Sequence, residues 1–206
     1  MDASLVDELA DAGFVVRDAF LSTALCRALR AALHERSAAG EFRPALIAGD
    51  ARGPKYVPAD RGDEIRWLPE PADRELRAAE SRFLARIETL RRQLNAQLSL
   101  GVFEFEAHYA RYEPGRGYVR HSDRRRGSDA RVVSIVVYLN DEWREEWGGQ
   151  LRLYPPGRAA VDVLPSGGRL VMFFSDGLEH EVLPARRPRE SIAGWLRRRG
   201  ETQLLG

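Results

Sequence analysis

Two histidines and one aspartate carry the clearest chemistry in this chain: His121 and Asp123 in the run HSD, and His180 at the start of HEVLP. An imidazole and a carboxylate two residues apart at a strand end project from the same face, because side chains alternate along a strand. The pair alone means little. Four His and 13 Asp in 206 residues give about 0.25 His-x-Asp pairs by chance, and a surface histidine beside a loop aspartate is the plain alternative. The far end of the chain changes the balance, since Arg189 follows His180 and Ser191 lies two residues beyond it. Two histidines and one carboxylate occupy three of six octahedral positions on Fe(II) and leave the opposite face open. A bidentate 2-oxo acid and dioxygen would fill that face. A fixed guanidinium deeper in the fold would pair with the acid's distal carboxylate through a forked contact, and Ser191, on the same strand face as Arg189, could add a hydroxyl donor.

Elements must hold these groups in place. Ser22 or Thr23 can cap a helix over LCRALRAALHERSAA, with Leu25, Leu29, Ala32 and Leu33 at helical spacing and Gly40 as its stop. Residues 43–63 are rich in Gly, Pro and Asp and read as a long loop. From Asp73 to about Leu98, Leu76, Phe83, Ile87, Leu90, Leu94 and Leu98 form one face, so this helix should lie against a sheet. After Gly101 the period falls from 3.6 to 2. Strands are expected at 102–111, 118–121, 132–139, 150–154, 169–174, 180–184 and 191–197, with Gly148-Gly149 closing a loop before QLRLY. Short strands at this spacing suggest a double-sheet barrel or jelly roll. The expectation is an α+β fold in one domain, 1–206, with residues 1–100 as helical support and substrate-side loop and 101–206 as the jelly-roll core.

Composition narrows the chemistry. Lys plus Arg is 32 and Asp plus Glu 31, so the basic excess that drives phosphate binding is missing. The basic residues are almost all Arg, with Lys55 the sole Lys. Cys26 is alone, which excludes a disulfide framework or a thiolate zinc site, and it reads as a small buried side chain. The start, MDASLVDELADAG, is acidic, the opposite of a signal or transit peptide. No apolar run approaches the roughly 18–20 residues that span a bilayer. A reducing, cytoplasmic location without membrane contact is the expectation.

Several stretches together resemble a known family: YEPGRGYVRHSD (112–123), RVVSIVVYLND (131–141), WGGQLRLYPPG (147–157), HEVLPARRPRESIAGW (180–195) and, upstream, RGDEIRW (61–67). They are similar to the Fe(II)- and 2-oxoglutarate-dependent prolyl hydroxylases, in the branch of the animal oxygen-sensing hydroxylases and their bacterial relatives. The resemblance implies a double-stranded β-helix fold. It implies that His121, Asp123 and His180 ligate iron and that Arg189 binds the distal carboxylate of 2-oxoglutarate together with Tyr138. Tyr112 and Tyr118 match tyrosines lining the cofactor and substrate pocket. Asp63 and Arg131 match an acid and a base that pair beside the substrate cleft. Ser191 stands where the animal enzymes have an apolar residue, although Arg-x-Ser occurs among other oxoglutarate oxygenases.

The implied reaction uses 2-oxoglutarate and O2, yields succinate and CO2, and hydroxylates a proline in a protein. Elongation factor Tu is the candidate substrate if the source is bacterial. Ascorbate as reductant and a monomeric state belong to the same expectation, and no side-chain acid or base is needed beyond the ligands. Arg124, Arg125 and Arg126 start a loop that resembles a substrate-contacting lid, against the alternative of a solvated loop. Trp195 and Trp67 read as core or pocket-wall aromatics, Trp195 close enough to the cleft to meet substrate. His34 reads as solvated and His108 as packed. Two alternatives stay open: a nucleic-acid oxygenase, suggested by the clusters at Arg124, Arg186 and Arg197, and a non-catalytic oxoglutarate sensor. Trp195 stands where the nucleic-acid enzymes carry a second Arg, and an intact metal triad has no use in a sensor.

Overall fold

The run LVMFF has no polar face, and in the structure its first four residues meet water on neither side. Leu170 and Met172 join a core built with Leu29, Leu33, Phe83, Ile87 and Leu90, whereas Val171 and Phe173 join a second core with Leu151, Leu153 and Val182. A strand with two apolar faces is one covered on both sides.

The computed structural model describes residues 4–50, 53–70, 73–123 and 130–199. Among these residues three α-helices and thirteen strands run in chain order: α1 (Ser4–Ala12), β1 (Phe14–Arg17), α2 (Thr23–Ala38), β2 (Arg43–Pro44), β3 (Ile47–Asp50), β4 (Gly53–Lys55), β5 (Asp63–Trp67), α3 (Ala78–Leu98), β6 (Glu104–Tyr112), β7 (Tyr118–His121), β8 (Arg131–Tyr138), β9 (Leu151–Tyr154), β10 (Val161–Val163), β11 (Leu170–Phe174), β12 (Glu179–Val182) and β13 (Arg189–Arg197). A seven-stranded sheet has the order β1-β11-β8-β13-β6-β5-β2, and a four-stranded sheet the order β10-β9-β12-β7. The strand pairings are antiparallel. The helices cover one face of the large sheet and the small sheet covers the other, an α+β jelly roll as expected. None of the described helices is long and apolar enough to cross a membrane.

Alternation on the central strands sorts side chains between the two cores. On β13, Ile192 and Leu196 face the helices while Arg189, Ser191, Ala193 and Trp195 face the small sheet, and β6 presents His108, Ala110 and Tyr112 to that same interior. α2 begins as the sequence indicates, with the Ser22 hydroxyl accepting from Leu25 N at 3.3 Å. α3 starts later than expected. Asp73 is occupied by a turn, its carboxylate accepting from Glu70 N, and the helix opens after Arg77, whose N–H donates to Glu80 at 3.0 Å. The loop expected at 43–63 contains β2, β3 and β4, and RGDEIRW supplies a further strand, β5, of the large sheet.

Glu80 is fully buried beneath this sheet and accepts from Arg36 Nε at 2.9 Å and from the Tyr109 hydroxyl at 3.1 Å. Arg36 is also buried and donates to Glu41 at 2.8 Å and to the Glu75 carbonyl at 2.9 Å. Removing one partner of a buried pair strands the other charge in low dielectric. Glu80→Ala is therefore expected to cost about 3–5 kcal/mol in urea unfolding; a change under about 1 kcal/mol would show that water already reaches Arg36.

Candidate active site

The interior between the two sheets is where the chemistry-bearing side chains converge. β7 and β12 are paired so that His121 stands directly opposite His180, with ring centroids 4.3 Å apart. Asp123 lies just past the end of β7, its carboxylate oxygens 3.8 Å from His121 Nε2 and 3.6 Å from His180 Nε2. One ligand atom from each of the three falls within 4.8 Å of the others, the single such cluster among the described residues.

The far nitrogen of each ring is tied to backbone. His121 Nδ1 donates to the Val119 carbonyl at 2.7 Å, and His180 Nδ1 lies 3.4 Å from the Leu178 carbonyl. A donor at Nδ1 leaves a lone pair on Nε2, the tautomer a metal requires. Burial, reinforced by His180, pushes the His121 imidazole down to about 4, so that ring is neutral at physiological pH. Burial raises the Asp123 carboxyl, but His180, His121 and the Ser134 hydroxyl outweigh it and hold the group below its usual range.

Ser134 donates to Asp123 Oδ2 at 2.7 Å and lies 2.9 Å from Ser175 Oγ. These two serines fix the carboxylate across the gap between the sheets. Sequence reasoning missed them, because single serines at a strand position and a turn carry no motif. Ser134→Ala is expected to weaken metal binding about 10–100-fold while leaving the three ligands in place. Titration with Mn(II) followed by calorimetry checks this, and unchanged affinity would remove the serine from the site.

Arg189 opens the other end of this interior. It is 2% exposed, its Nε donates to the Gly149 carbonyl at 2.9 Å, and its guanidinium carbon sits 5.3 Å from the Tyr112 ring centre and 5.0 Å from that of Tyr138. No carboxylate pairs with it among the described residues. The Tyr138 hydroxyl is likewise buried without a hydrogen-bond partner, and burial raises its pKa despite the nearby Arg189. A buried cation and a buried hydroxyl, both unanswered, are a socket for an anion.

The floor between the two ends is open. Ala193 and Val136 are cross-strand partners in the middle of the large sheet, yet both keep solvent contact on this face. They lie between the Ser191–Tyr138 row and the Trp195–Ser134 row. Those rows are four residues apart, about 13 Å of strand, enough for a five-carbon diacid. Ser191 is buried on the Arg189 face of β13, where the sequence places it.

On the substrate side two expectations are corrected. Asp63 does not pair with Arg131. It faces Tyr112 at one end of β6, whereas Arg131 faces Arg197, itself opposite Glu104 at the other end. Each charge meets a nearer partner: Arg61 grips Asp63 with bonds of 2.8 and 3.0 Å, and Arg131 donates to Glu106 at 3.0 Å while lying 3.4 Å over the Trp195 ring. Arg61 then stacks over Tyr118 at 4.9 Å, and Tyr118 over His121 at 3.6 Å. Asp63 thus braces His121 through Arg61 and Tyr118.

The second correction is Trp67, which is 45% exposed rather than a core aromatic and packs edge-on to His108 at 4.9 Å. Trp195 is a buried wall residue. His34, although exposed, contacts buried Glu190 at 2.7 Å. Arg197, from one basic cluster, is taken up by Glu104 and Glu106. Arg124 and the lid read at Arg124–Arg126 lie outside the described residues. Cys26 is buried, its thiol 3.6 Å from the Tyr138 carbonyl, as a packed side chain should be.

The 2OG-Fe(II) oxygenase superfamily profile matches residues 107–197. The human prolyl hydroxylase EGLN3 is 31% identical over 197 residues, covering 93% of this chain and 81% of its own. The chain belongs to the 2OG-Fe(II) oxygenases. Within that superfamily it falls in the branch of the EGLN-type prolyl hydroxylases and their bacterial relatives. A crystal structure of a Pseudomonas putida prolyl-4-hydroxylase superposes with a TM-score of 0.86 at 42% identity, covering 97% of this chain and all of that one (100%). A Trichoplax adhaerens prolyl hydroxylase in complex with a hypoxia inducible factor peptide gives 0.83 at 29% identity, over 93% of this chain and 86% of that one. Human Egl nine homolog 1 is 36% identical over 145 residues, and the match spans only 32% of its length.

A 2OG-Fe(II) oxygenase uses Fe(II), 2-oxoglutarate and O2, and the side chains present fit those groups. Two imidazole nitrogens and one carboxylate are the donors of a facial triad, and the unanswered Arg189 suits a dicarboxylic acid.

Proposed function

We propose that this chain is a monomeric, cytoplasmic prolyl hydroxylase acting on a protein, with elongation factor Tu as the candidate substrate. The observation that carries the reading is a buried, unpaired Arg189 at one end of an open floor whose other end is the His121, Asp123 and His180 cluster. Full-length similarity to a bacterial prolyl-4-hydroxylase supports the choice of proline. The peptide complex of the Trichoplax relative supports a protein rather than a free amino acid as substrate.

In this reading His121 and His180 hold the iron through Nε2, and Asp123 supplies the only anion of the three. When bound, iron and 2-oxoglutarate provide the oxidative step, in which the co-substrate loses CO2 to become succinate and a prolyl carbon gains a hydroxyl, with ascorbate as accessory reductant. Arg189 and Tyr138, with Ser191 beside them, receive the distal carboxylate, so the acid enters in one direction only. Tyr112 stacks against that guanidinium and excludes water. Arg61, held by Asp63, orders Tyr118 and through it the face of His121. Trp195, clamped under Arg131, forms the wall on which substrate rests. The protein contributes ligation, orientation and dryness.

The test is incubation of the purified chain with Fe(II), 2-oxoglutarate and elongation factor Tu, followed by peptide mass spectrometry. One added oxygen on a single proline is expected. No oxygen on any proline of that factor, under conditions where 2-oxoglutarate is consumed, would reject it as substrate.

A further inference from the structure

His108 is buried beside the recess, and the ligands described above leave it without a task. It lies on β6, with Ala193 as its cross-strand partner on one side and Trp67 on the other. The ring sits 4.9 Å from that of Trp67 and 5.6 Å from that of Trp195, and the residue is 2% exposed. Nδ1 is shielded from solvent and has no hydrogen-bond partner. Burial, and after it the Arg61 cation, push the imidazole down to about 4. The ring is therefore neutral at physiological pH, with one N–H to give and one lone pair.

A buried polar atom without a partner is a standing cost, and such atoms concentrate where a ligand completes them. The position of His108 says which part of a ligand that would be. Tyr112, beside Arg189, is four residues further along β6, whereas Ala193, the partner of His108, is itself the open floor. The His108 ring leans toward Trp195, 5.6 Å away, whose cross-strand partner Ser134 holds Asp123. His108 thus flanks the triad end of the recess, not the Arg189 end. In a 2-oxo acid bridging the two, the group at the triad end is the carboxylate adjoining the keto carbon. A carboxylate that gives one oxygen to a metal still has another to accept a hydrogen bond.

Resting on the 2-oxoglutarate reading of this recess, we propose that His108 is a co-substrate-binding residue whose imidazole N–H donates to the carboxylate at the keto end of the acid. Arg189 then recognises the distal carboxylate and His108 the proximal one, so the two residues select for different halves of the same molecule.

Calorimetry on the full chain loaded with redox-inert Mn(II) separates those halves, using 2-oxoglutarate and 2-oxobutyrate, a 2-oxo acid without the distal carboxylate. His108→Phe, which keeps a ring but no donor, is expected to weaken both acids about tenfold, equivalent to about 1.4 kcal/mol. His108→Gln, with a donor on a flexible stem, should recover part of that loss. Arg189→Leu should weaken 2-oxoglutarate and leave 2-oxobutyrate unchanged. Wild-type affinity for both acids in His108→Phe would overturn the proposal, as would a loss confined to 2-oxoglutarate, which would put the donor at the wrong end. If the wild-type protein binds neither acid, the reading of the recess itself fails. Mn(II) affinity and melting temperature of each variant report whether the triad and the fold are intact, and a His108→Phe protein that does not fold leaves His108→Gln to decide by the same two acids.

Discussion

Asp123→Ala protein is expected to release succinate at least ~1000-fold more slowly than the parent, a barrier increase of about 4 kcal/mol. The reason lies in charge. Of the three candidate ligands, two are imidazoles, which carry no negative charge, so Asp123 is the only anion offered to a dication in an interior where charge is weakly screened. Its position is also built: Ser134 holds one oxygen at 2.7 Å and Ser175 holds Ser134 at 2.9 Å. Alanine leaves those hydroxyls facing a gap and a metal with two ligands. Quantitation of succinate by mass spectrometry at saturating 2-oxoglutarate measures the effect. His121→Ala is expected to behave the same way, and a variant of either kind that decarboxylates as well as the parent would place the metal elsewhere.

The second large effect concerns Arg189. Arg189→Lys keeps one positive charge but loses the planar fork and the Nε bond to the Gly149 carbonyl, so 2-oxoglutarate affinity should fall more than tenfold, about 1.4 kcal/mol or more. A thermal consequence accompanies it. A buried guanidinium without a carboxylate is destabilising until an anion arrives, so the ligand-free Arg189→Leu protein should melt no lower than the parent. The parent in turn should be stabilised by 2-oxoglutarate, by about 2.7 kcal/mol at a hundredfold excess over its dissociation constant, and Arg189→Leu should show little of that gain. Equal stabilisation of both proteins would remove Arg189 from the co-substrate site.

Much of this was legible in the chain. The change from a 3.6 to a 2 period at Gly101 marks where helices give way to the jelly roll, and LVMFF announces a strand buried on both faces. The triad and Arg189 were legible through the resemblance of the motifs around them, since His-x-Asp alone is expected by chance; the structure adds that His121 faces His180 across β7 and β12. What stayed hidden depends on long-range partners. β1 and β10 are too short to show a period, and β5 is a strand because β6 lies beside it. The Asp63–Arg131 pairing failed because opposite charges choose by distance, and Arg61, two residues away, is nearer. Ser134 and His108 look ordinary in sequence, and only the packing reveals one bonded to Asp123 and the other with an unanswered nitrogen.

The most direct test of the central claim follows oxygen itself. Cells carrying the wild-type gene or the Asp123→Ala version are compared by proteome-wide mass spectrometry, and the candidate protein is then hydroxylated in vitro under heavy-isotope dioxygen. The expected result is a hydroxyproline present only with the wild-type protein, carrying one heavy oxygen for each succinate formed. Identical hydroxyproline in both cell lines, or succinate formed with no label reaching any proline, would contradict it.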